Sequence, residues 1–240
     1  MSQSLPDRQV ISRRRARRAP ATTQAPTQPS AEPLSIPWGS LLALAILLAL
    51  VVAAGLGLGR ALQVQPTGAF ANCKTAARIG PSTFAGPPAM CIKTTKTYLA
   101  KLSTTAGEID IAMPASQAPR TVNNFVVLAV NGYYTGLTFH RAESWVVQGG
   151  DPLGDGRGGP GYTLPEEPNN QPWTADAVGM ARYPGDGVNG SQFFILRADW
   201  PAPGPGTVVF NHFGTVLGGT TLIGQLKPGD RILGVVITVQ

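Results

Sequence analysis

Histidine is scarce in this chain of 240 residues, which contains only His140 and His212. A serine-hydrolase triad needs a histidine beside its nucleophile, and Ser191 lies in an Asn-Gly-Ser-Gln run rather than in a nucleophile elbow. We therefore expect no covalent nucleophile. For His140 we favour a structural role, as a core histidine hydrogen-bonded to the backbone, over a catalytic one.

Cysteine is equally rare, since Cys73 and Cys91 are the only two in the chain. Their spacing fits no metal-ligand motif, so we expect no metal site. An even number of cysteines favours a disulfide in an oxidising compartment, although two free thiols remain an alternative. A bridge would close a loop of eighteen residues and add about 3 kcal/mol in the chain-entropy model.

Cofactor motifs are weak or incomplete. Residues 154–159 read Gly-Asp-Gly-Arg-Gly-Gly, which fits a dinucleotide-binding pattern, but no helix is predicted after them. Asp151 and Asp155 are similar to the start of a calcium loop, yet Leu153 and Tyr162 stand where oxygen ligands are required. We interpret the segment as a loop and expect neither a cofactor nor a metal ion.

Charge is sparse and unevenly distributed. Charged residues make up 13% of the chain, and the formal net charge is +6. Residues 1–36 carry six arginines against Asp7 and Glu32, so +4 of this charge lies there and +2 in the remainder. The pI near 9.7 thus reflects a basic tail. We expect no nucleic acid partner for the folded part.

The N-terminal region predicts a membrane protein. Residues 1–36 lack apolar periodicity and are expected to be a disordered tail. The uncharged run at 41–58 is long enough to cross the lipid bilayer, and it defines a transmembrane anchor at 37–60. An arginine cluster before such a run is more typical of the cytoplasmic side of a membrane than of a nucleic-acid arm. The tail should be cytoplasmic and the rest of the chain extracytoplasmic.

Two alternatives to a single-pass anchor in the cell membrane fit the sequence less well. A cleavable signal peptide would use the small-x-small site at 69–71, which ends thirteen residues beyond Leu58 and follows an unusually long basic region. A helix buried in a soluble fold would show a polar face. We favour the uncleaved anchor.

The remaining chain divides into a linker and one domain. Residues 61–94 contain both cysteines and several Gly-Pro pairs, which predicts an extracytoplasmic linker. From residue 95 to 240 short apolar runs alternate with turns. A hairpin is predicted around the turn at 105–107, and a helix should begin at Pro119 and end before Gly132.

Later runs predict further strands at 177–180, 193–196, 207–210, 213–217 and 232–239, with a short helix near 221–226. The periodicity therefore indicates a mostly β, antiparallel barrel or sandwich.

The central stretch of this domain is residues 139–151, Phe-His-Arg-Ala-Glu-Ser-Trp-Val-Val-Gln-Gly-Gly-Asp. It sets Arg141 and Gln148 among large apolar side chains. A few polar groups directed into an apolar cleft are what a small, specific ligand site needs. The ligand should be largely apolar.

Four motifs resemble the cyclophilin-type peptidyl-prolyl cis-trans isomerases, in a bacterial, membrane-anchored form. They occur in the family's order over residues 96–240, at 118–125, 136–141, 179–181 and 189–195, with Val-Gln-Gly-Gly-Asp following Phe-His-Arg. The resemblance implies a closed eight-stranded antiparallel β-barrel capped by two helices, with the active site in an outer groove. No cofactor is implied.

Residue by residue, the resemblance implies that Arg141 is the catalytic arginine and that Gln148 assists it. It also implies seven substrate-binding residues: Trp145, Val146, Ala181, Gln192, Phe194, Trp200 and Phe210.

The chain departs from the family at several points. One residue is missing between Arg141 and Trp145, and one is extra between Ala181 and Ser191. Arg182 replaces a frequent asparagine, the segment 200–206 differs, and Phe210 stands in place of His or Tyr. The last two differences fall on the far wall of the pocket, so the resemblance does not fix the pocket's shape or the catalytic rate.

Rotation about a prolyl peptide bond can be catalysed by an arginine that donates a hydrogen bond, and it requires no nucleophile. Rotation about an Xaa-Pro bond breaks amide resonance, a barrier of about 18 to 20 kcal/mol. In the twisted state the imide nitrogen regains a lone pair, and a guanidinium that donates to it stabilises the transition state selectively.

We therefore predict a membrane-anchored, extracytoplasmic prolyl isomerase that assists the folding of exported proteins. Its partners would be proline-containing polypeptides and, through residues 41–58, the lipid bilayer, and the domain is expected to be monomeric. The alternatives are a binding module of the same fold without turnover and a structural β-domain without a peptide groove.

Overall fold

The computed structural model describes residues 67–183, 185–200 and 209–240. The predicted tail (1–36) and anchor (37–60, with its apolar run 41–58) lie outside the described residues, as do residues 61–66 of the predicted linker. Among the described helices, none combines the length and the hydrophobicity needed to cross a membrane.

The described residues contain one antiparallel sheet of nine strands. These are β1 (Thr97–Thr104), β2 (Gly107–Pro114), β3 (Thr138–Ala142), β4 (Val146–Asp151), β5 (Thr163–Leu164), β6 (Ala177–Arg182), β7 (Val188–Leu196), β8 (His212–Gly218) and β9 (Ile232–Val239). Their order is β3-β4-β7-β6-β8-β2-β1-β9, and the short β5 pairs with β7. The mostly β, antiparallel class predicted from the sequence is confirmed.

The sheet is curled but open. Its edge strands β3 and β9 approach at one end, where an isolated bridge joins Thr138 to Arg231. Four backbone hydrogen bonds connect residues 136–139 with 229–232, but within the described chain no strand ladder joins the two edges. The prediction of a closed barrel with eight strands is therefore wrong. Register shifts on both sides of Phe139 bend β3, and such bulges end regular pairing.

The predicted hairpin is confirmed as β1 and β2. Tyr98 pairs with Met113, Ala100 with Ile111 and Leu102 with Ile109. All six side chains are buried. The alternation in the sequence thus corresponds to one face of the sheet turned into the core.

The predicted long helix is confirmed as α1 (Pro119–Val130), and Gly132 after it has a φ of +74°, a left-handed conformation that favours glycine. Glu167, which is distant in sequence, accepts backbone hydrogen bonds from Arg120 (2.9 Å) and Thr121 (2.8 Å) at the helix start. The ring of Phe125 packs on those of Tyr134, Phe193 and Phe213, with centroids 4.8, 5.7 and 5.3 Å away. The core therefore lies between α1 and the sheet.

The other predicted elements agree in part. Strands are present at 177–180, 193–196, 213–217 and 232–239, and the short helix α2 is Thr220–Ile223. The strand predicted at 207–210 is wrong for residues 209 and 210, which are irregular, and its first two residues are not described.

Residues 67–94 pack onto the sheet. They begin with a 3-10 turn at Gly68–Phe70, and a disulfide joins Cys73 to Cys91 with an S–S distance of 2.09 Å. Phe84 is 2% exposed and belongs to the main core. Its backbone N–H donates to the Pro160 carbonyl at 2.8 Å, which fixes this segment against the rest of the domain. The predicted linker therefore contributes to the folded domain over its described part. A single buried phenylalanine produces no periodicity, so the sequence pattern does not reveal it.

Candidate active site

Adjacent strands bring the polar residues of the central stretch together. Arg141 on β3 is paired with Gln148 on β4, and Gln148 is paired with Phe194 on β7. Directly paired residues of neighbouring strands point to the same face of a sheet. A guanidinium, an amide and an aromatic ring are thus aligned across three strands.

A chain of hydrogen bonds orients Gln148 toward Arg141. Arg141 Nη1 donates to Gln148 Oε1 at 3.3 Å, and Gln148 Nε2 donates to Gln192 Oε1 at 2.8 Å. Gln192 Nε2 donates in turn to the carbonyls of Gly156 and Gly158 at 2.8 and 2.7 Å. Because the loop carbonyls take up the donors of Gln192, its oxygen faces Gln148, and the oxygen of Gln148 faces the guanidinium.

Glu143 is a second partner of Arg141 that was not predicted from the sequence. Arg141 Nε donates to Glu143 Oε1 at 2.7 Å, and Trp145 Nε1 donates to Glu143 Oε2 at 2.9 Å. The hydrogen bond from Arg141 lowers the pKa of Glu143. The spacing Arg-x-Glu-x-Trp was the available signal, since alternate residues at a tight turn can lie side by side.

The nine predicted site residues all line one cavity of about 260 Å³. Three further residues line the cavity: Arg182, Tyr183 and Asn189. No binding role was predicted for them from the sequence. A cavity of this size is smaller than most cofactor sites and suits a side chain with its adjoining backbone.

The apolar wall of the cavity is a cluster separate from the main core. Its buried members are Val146, Ala177, Ala181, Phe194 and Leu196, and Trp145, Trp173, Trp200 and Phe210 pack against them. The ring of Phe194 stacks on that of Trp173 with centroids 5.6 Å apart. Trp173, whose importance the sequence did not indicate, therefore supports the wall from behind.

Two arginines border the cavity, and they differ in their pairing. Arg182 is 13% exposed in its side chain, forms an ion pair with Glu166, and donates to the carbonyls of Val209 and Asp186 at 3.0 and 2.7 Å. Arg141 is 41% exposed. Within the described part of the chain its Nη2 makes no hydrogen bond, so this donor is available to a ligand.

His140 lies beside this site without lining the cavity. Both of its ring nitrogens are buried and have no hydrogen-bond partner among the described residues, and burial lowers its pKa. The predicted hydrogen bond from His140 to the backbone is therefore wrong. A Cβ on Gly156 would lie 3.7 Å from the ring, so the imidazole packs against the loop instead.

The calcium-like pattern has a structural explanation. The Asp151 carboxylate is buried and accepts backbone hydrogen bonds from Leu153, Asp155 and Gly156 at 2.9, 3.1 and 2.6 Å. It folds the loop that holds Gln192. In the ranges that the structure describes, no cluster of three or more His, Cys, Asp or Glu side chains is arranged to hold a metal ion.

The fold and the site define a class: a curled antiparallel β domain whose outer face carries an apolar pocket with the Arg141 guanidinium at its rim. Residues 99–236, more than half of the chain, match the family model "Cyclophilin type peptidyl-prolyl cis-trans isomerase/CLD". The chain therefore belongs to the cyclophilin-type peptidyl-prolyl cis-trans isomerase family, and the isomerase activity predicted from the sequence is confirmed.

Similar proteins agree with this assignment. A peptidyl-prolyl cis-trans isomerase of Synechococcus elongatus is 42% identical over 139 residues, which are 57% of this chain and 93% of that protein. One from Helicobacter pylori is 37% identical over 146 residues, 60% of this chain and 88% of the relative.

Solved structures show the same fold. A crystal structure of a cyclophilin type isomerase from Cryptosporidium parvum matches with a TM-score of 0.53 at 27% identity, covering 59% of this chain and 98% of that one. A second structure of that protein, in the presence of the dipeptide Ala-Pro, also gives a TM-score of 0.53.

Proposed function

We propose that the domain binds proline-containing peptide segments in the groove and that Arg141 is the catalytic donor, with Gln148 as its orienting partner. The observation that carries this proposal is the guanidinium of Arg141 at the rim of an apolar cavity, where its Nη2 donor has no partner among the described residues. The relative whose structure was determined with Ala-Pro supports a proline residue as the ligand of the pocket.

The proposed catalysis combines an apolar wall of the groove, which holds the proline ring, with the Arg141 donor at its rim. The Val146 and Phe194 side chains, both buried, offer an apolar surface to a pyrrolidine ring. Arg141 donates to the imide nitrogen only when the bond is twisted, so it stabilises the transition state rather than the planar substrate. One charge-assisted hydrogen bond is worth about 1.5 to 3 kcal/mol, roughly ten- to a hundredfold in rate. Desolvation in the pocket and anchoring of the peptide supply the remainder.

We also propose the setting in which the enzyme works. The arginines of the tail and the uncharged run at 41–58 support an anchor at 37–60, with the isomerase domain outside the cytoplasm. The disulfide between Cys73 and Cys91 supports an oxidising compartment. Exported proteins would then be the substrates.

Turnover is tested with the full-length chain in mild detergent and a short Xaa-Pro peptide, whose cis-trans exchange is followed by NMR exchange spectroscopy. The wild type should accelerate exchange. Arg141→Ala should lose about ten- to a hundredfold in kcat/KM while peptide affinity changes much less, because the lost hydrogen bond belongs to the twisted state.

The matched control is Arg231→Ala, which removes an exposed arginine outside the groove and should leave the rate unchanged. If the wild type binds the peptide without accelerating exchange, the domain acts as a binding module. Equal losses of binding and rate in Arg141→Ala would make the arginine a ground-state anchor and remove the mechanism.

A further inference from the structure

Three hydrogen bonds hold the turn between β3 and β4, two between backbone groups and one from a side chain. Glu143 N–H donates to the Val146 carbonyl at 2.8 Å, and Arg197 N–H donates to the Trp145 carbonyl at 2.9 Å. Arg197 Nη1 donates to the Glu143 carbonyl at 2.7 Å. Three hydrogen bonds therefore fix the position from which the Glu143 side chain extends.

Both carboxylate oxygens of Glu143 are in use. Oε1 accepts from Arg141 Nε and Oε2 accepts from Trp145 Nε1, at 2.7 and 2.9 Å. The guanidinium carbon of Arg141 lies 5.2 Å from the centre of the Trp145 ring. One carboxylate thus ties the donor at the rim of the groove to an aromatic residue of its wall.

We propose that Glu143 is a positioning residue for prolyl isomerisation: its carboxylate holds the Arg141 guanidinium against Trp145 and leaves Nη2 as the donor for the substrate. This inference rests on the proposed role of Arg141. A long side chain that is 41% exposed would otherwise have to be immobilised during the reaction. A donor that is already oriented avoids that entropic cost.

A carboxylate beside a catalytic cation also has an opposing effect, since it reduces the positive potential at the imide nitrogen. The side chains of Arg141 and Glu143 are 41% and 47% exposed, so water screens this loss. The same water weakens the Coulomb attraction of the pair, but the directional hydrogen bonds from Arg141 and Trp145, at 2.7 and 2.9 Å, still orient the guanidinium. Positioning should therefore dominate, and removal of the carboxylate should slow the enzyme.

The contact should depend on pH. The charged groups that face Glu143 are the guanidinium groups of Arg141, at its carboxylate, and of Arg197, at its carbonyl. The hydrogen bond from Arg141 holds the pKa of Glu143 below its ordinary value of 4.5. A lowered pKa means that the contact is complete at neutral pH and is lost as the pH falls through the folded-state pKa.

The test uses the full-length chain and the same exchange measurement. Glu143→Ala should lower kcat about three- to tenfold with KM nearly unchanged, as expected for a small displacement of a catalytic group. Glu143→Gln should lose less because it keeps an acceptor. In an Arg141→Ala background, Glu143→Ala should cause no further loss, because the two residues act as a unit.

Two readouts separate positioning from a general structural effect. The indole N–H resonance of Trp145, assigned with Trp145→Phe, should shift in Glu143→Gln and on acidification of the wild type. The decline of wild-type kcat at acid pH should be smaller in Glu143→Gln. The control Glu108→Gln, which removes an exposed carboxylate paired with Lys101 outside the groove, should match the wild type in both.

The outcomes are distinct. If both Glu143 variants keep the kcat and the pH profile of Glu108→Gln while Arg141→Ala is slow, Glu143 has no positioning role although the site proposal stands. A faster Glu143→Ala would show that the carboxylate restrains the enzyme, which also overturns the inference. If Arg141→Ala is as fast as the wild type, the proposed site itself fails.

Discussion

At the scale of single residues, Gln192 connects the groove to the loop behind it. Its side chain is 1% exposed, donates to two loop carbonyls, and accepts from Gln148. A residue with these bonds cannot be replaced by an apolar one of similar size without leaving several buried polar groups unpaired.

We predict that Gln192→Leu lowers the free energy of unfolding by about 1 to 3 kcal/mol, since each unsatisfied buried polar group carries a desolvation penalty. Urea unfolding of the full-length chain, followed by near-ultraviolet circular dichroism, measures the change. Gln225→Leu is the matched control, because Gln225 is exposed. Coincident transitions for the two variants would show that the amide is not needed to hold the loop.

At the scale of elements, α1 depends on a cap supplied from a distant part of the chain. The Glu167 carboxylate accepts hydrogen bonds from the N–H groups of Arg120 and Thr121, and from the Thr121 hydroxyl at 2.7 Å. A negative charge at a helix N-terminus is also favourable to the helix dipole.

Glu167→Gln should therefore destabilise the domain by about 1 kcal/mol through loss of one acceptor and of the charge. A lower thermal midpoint than in the control Glu108→Gln would be the expected result. An unchanged midpoint would mean that water replaces the carboxylate at the helix start without loss.

The elements that could be predicted were those whose signals are local. The β1-β2 hairpin follows from alternation, and α1 from Pro119 and Gly132 at its ends. The Glu167 cap and the contact between Phe84 and Pro160 join residues far apart in sequence, and no periodicity reports them. The bulges that leave the sheet open depend likewise on pairing between strands.

In the site, too, some residues could be predicted from the sequence and others depend on contacts that only the structure shows. Motif resemblance identified nine residues that meet in one cavity, because a motif retains residue types at fixed spacing. It did not identify Glu143 or Trp173, which have no counterpart among the site positions that the resemblance implied. Their roles depend on two contacts, the hydrogen bond to Arg141 and the ring stacked on Phe194.

At the scale of the whole molecule, the proposed anchor predicts a topology. Six arginines precede the uncharged run, so the N-terminus should remain in the cytoplasm. With a tag at each terminus, protease added to intact cells should digest the C-terminal tag only. Protection of the C-terminal tag would reverse the proposed orientation, and a soluble product lacking the N-terminal tag would indicate a cleaved signal peptide.

The pairing of β1 with β9 joins residues 97–104 to 232–239, at opposite ends of the described domain. A ribosome or export channel delivers the first of these strands long before the last. The sheet therefore cannot be completed until β9 has emerged, and β1 must wait with one edge unpaired. Pairing between such distant segments also slows folding. A newly made copy should accordingly need protection during its own synthesis, and it should become active only after β9 has emerged and paired with β1.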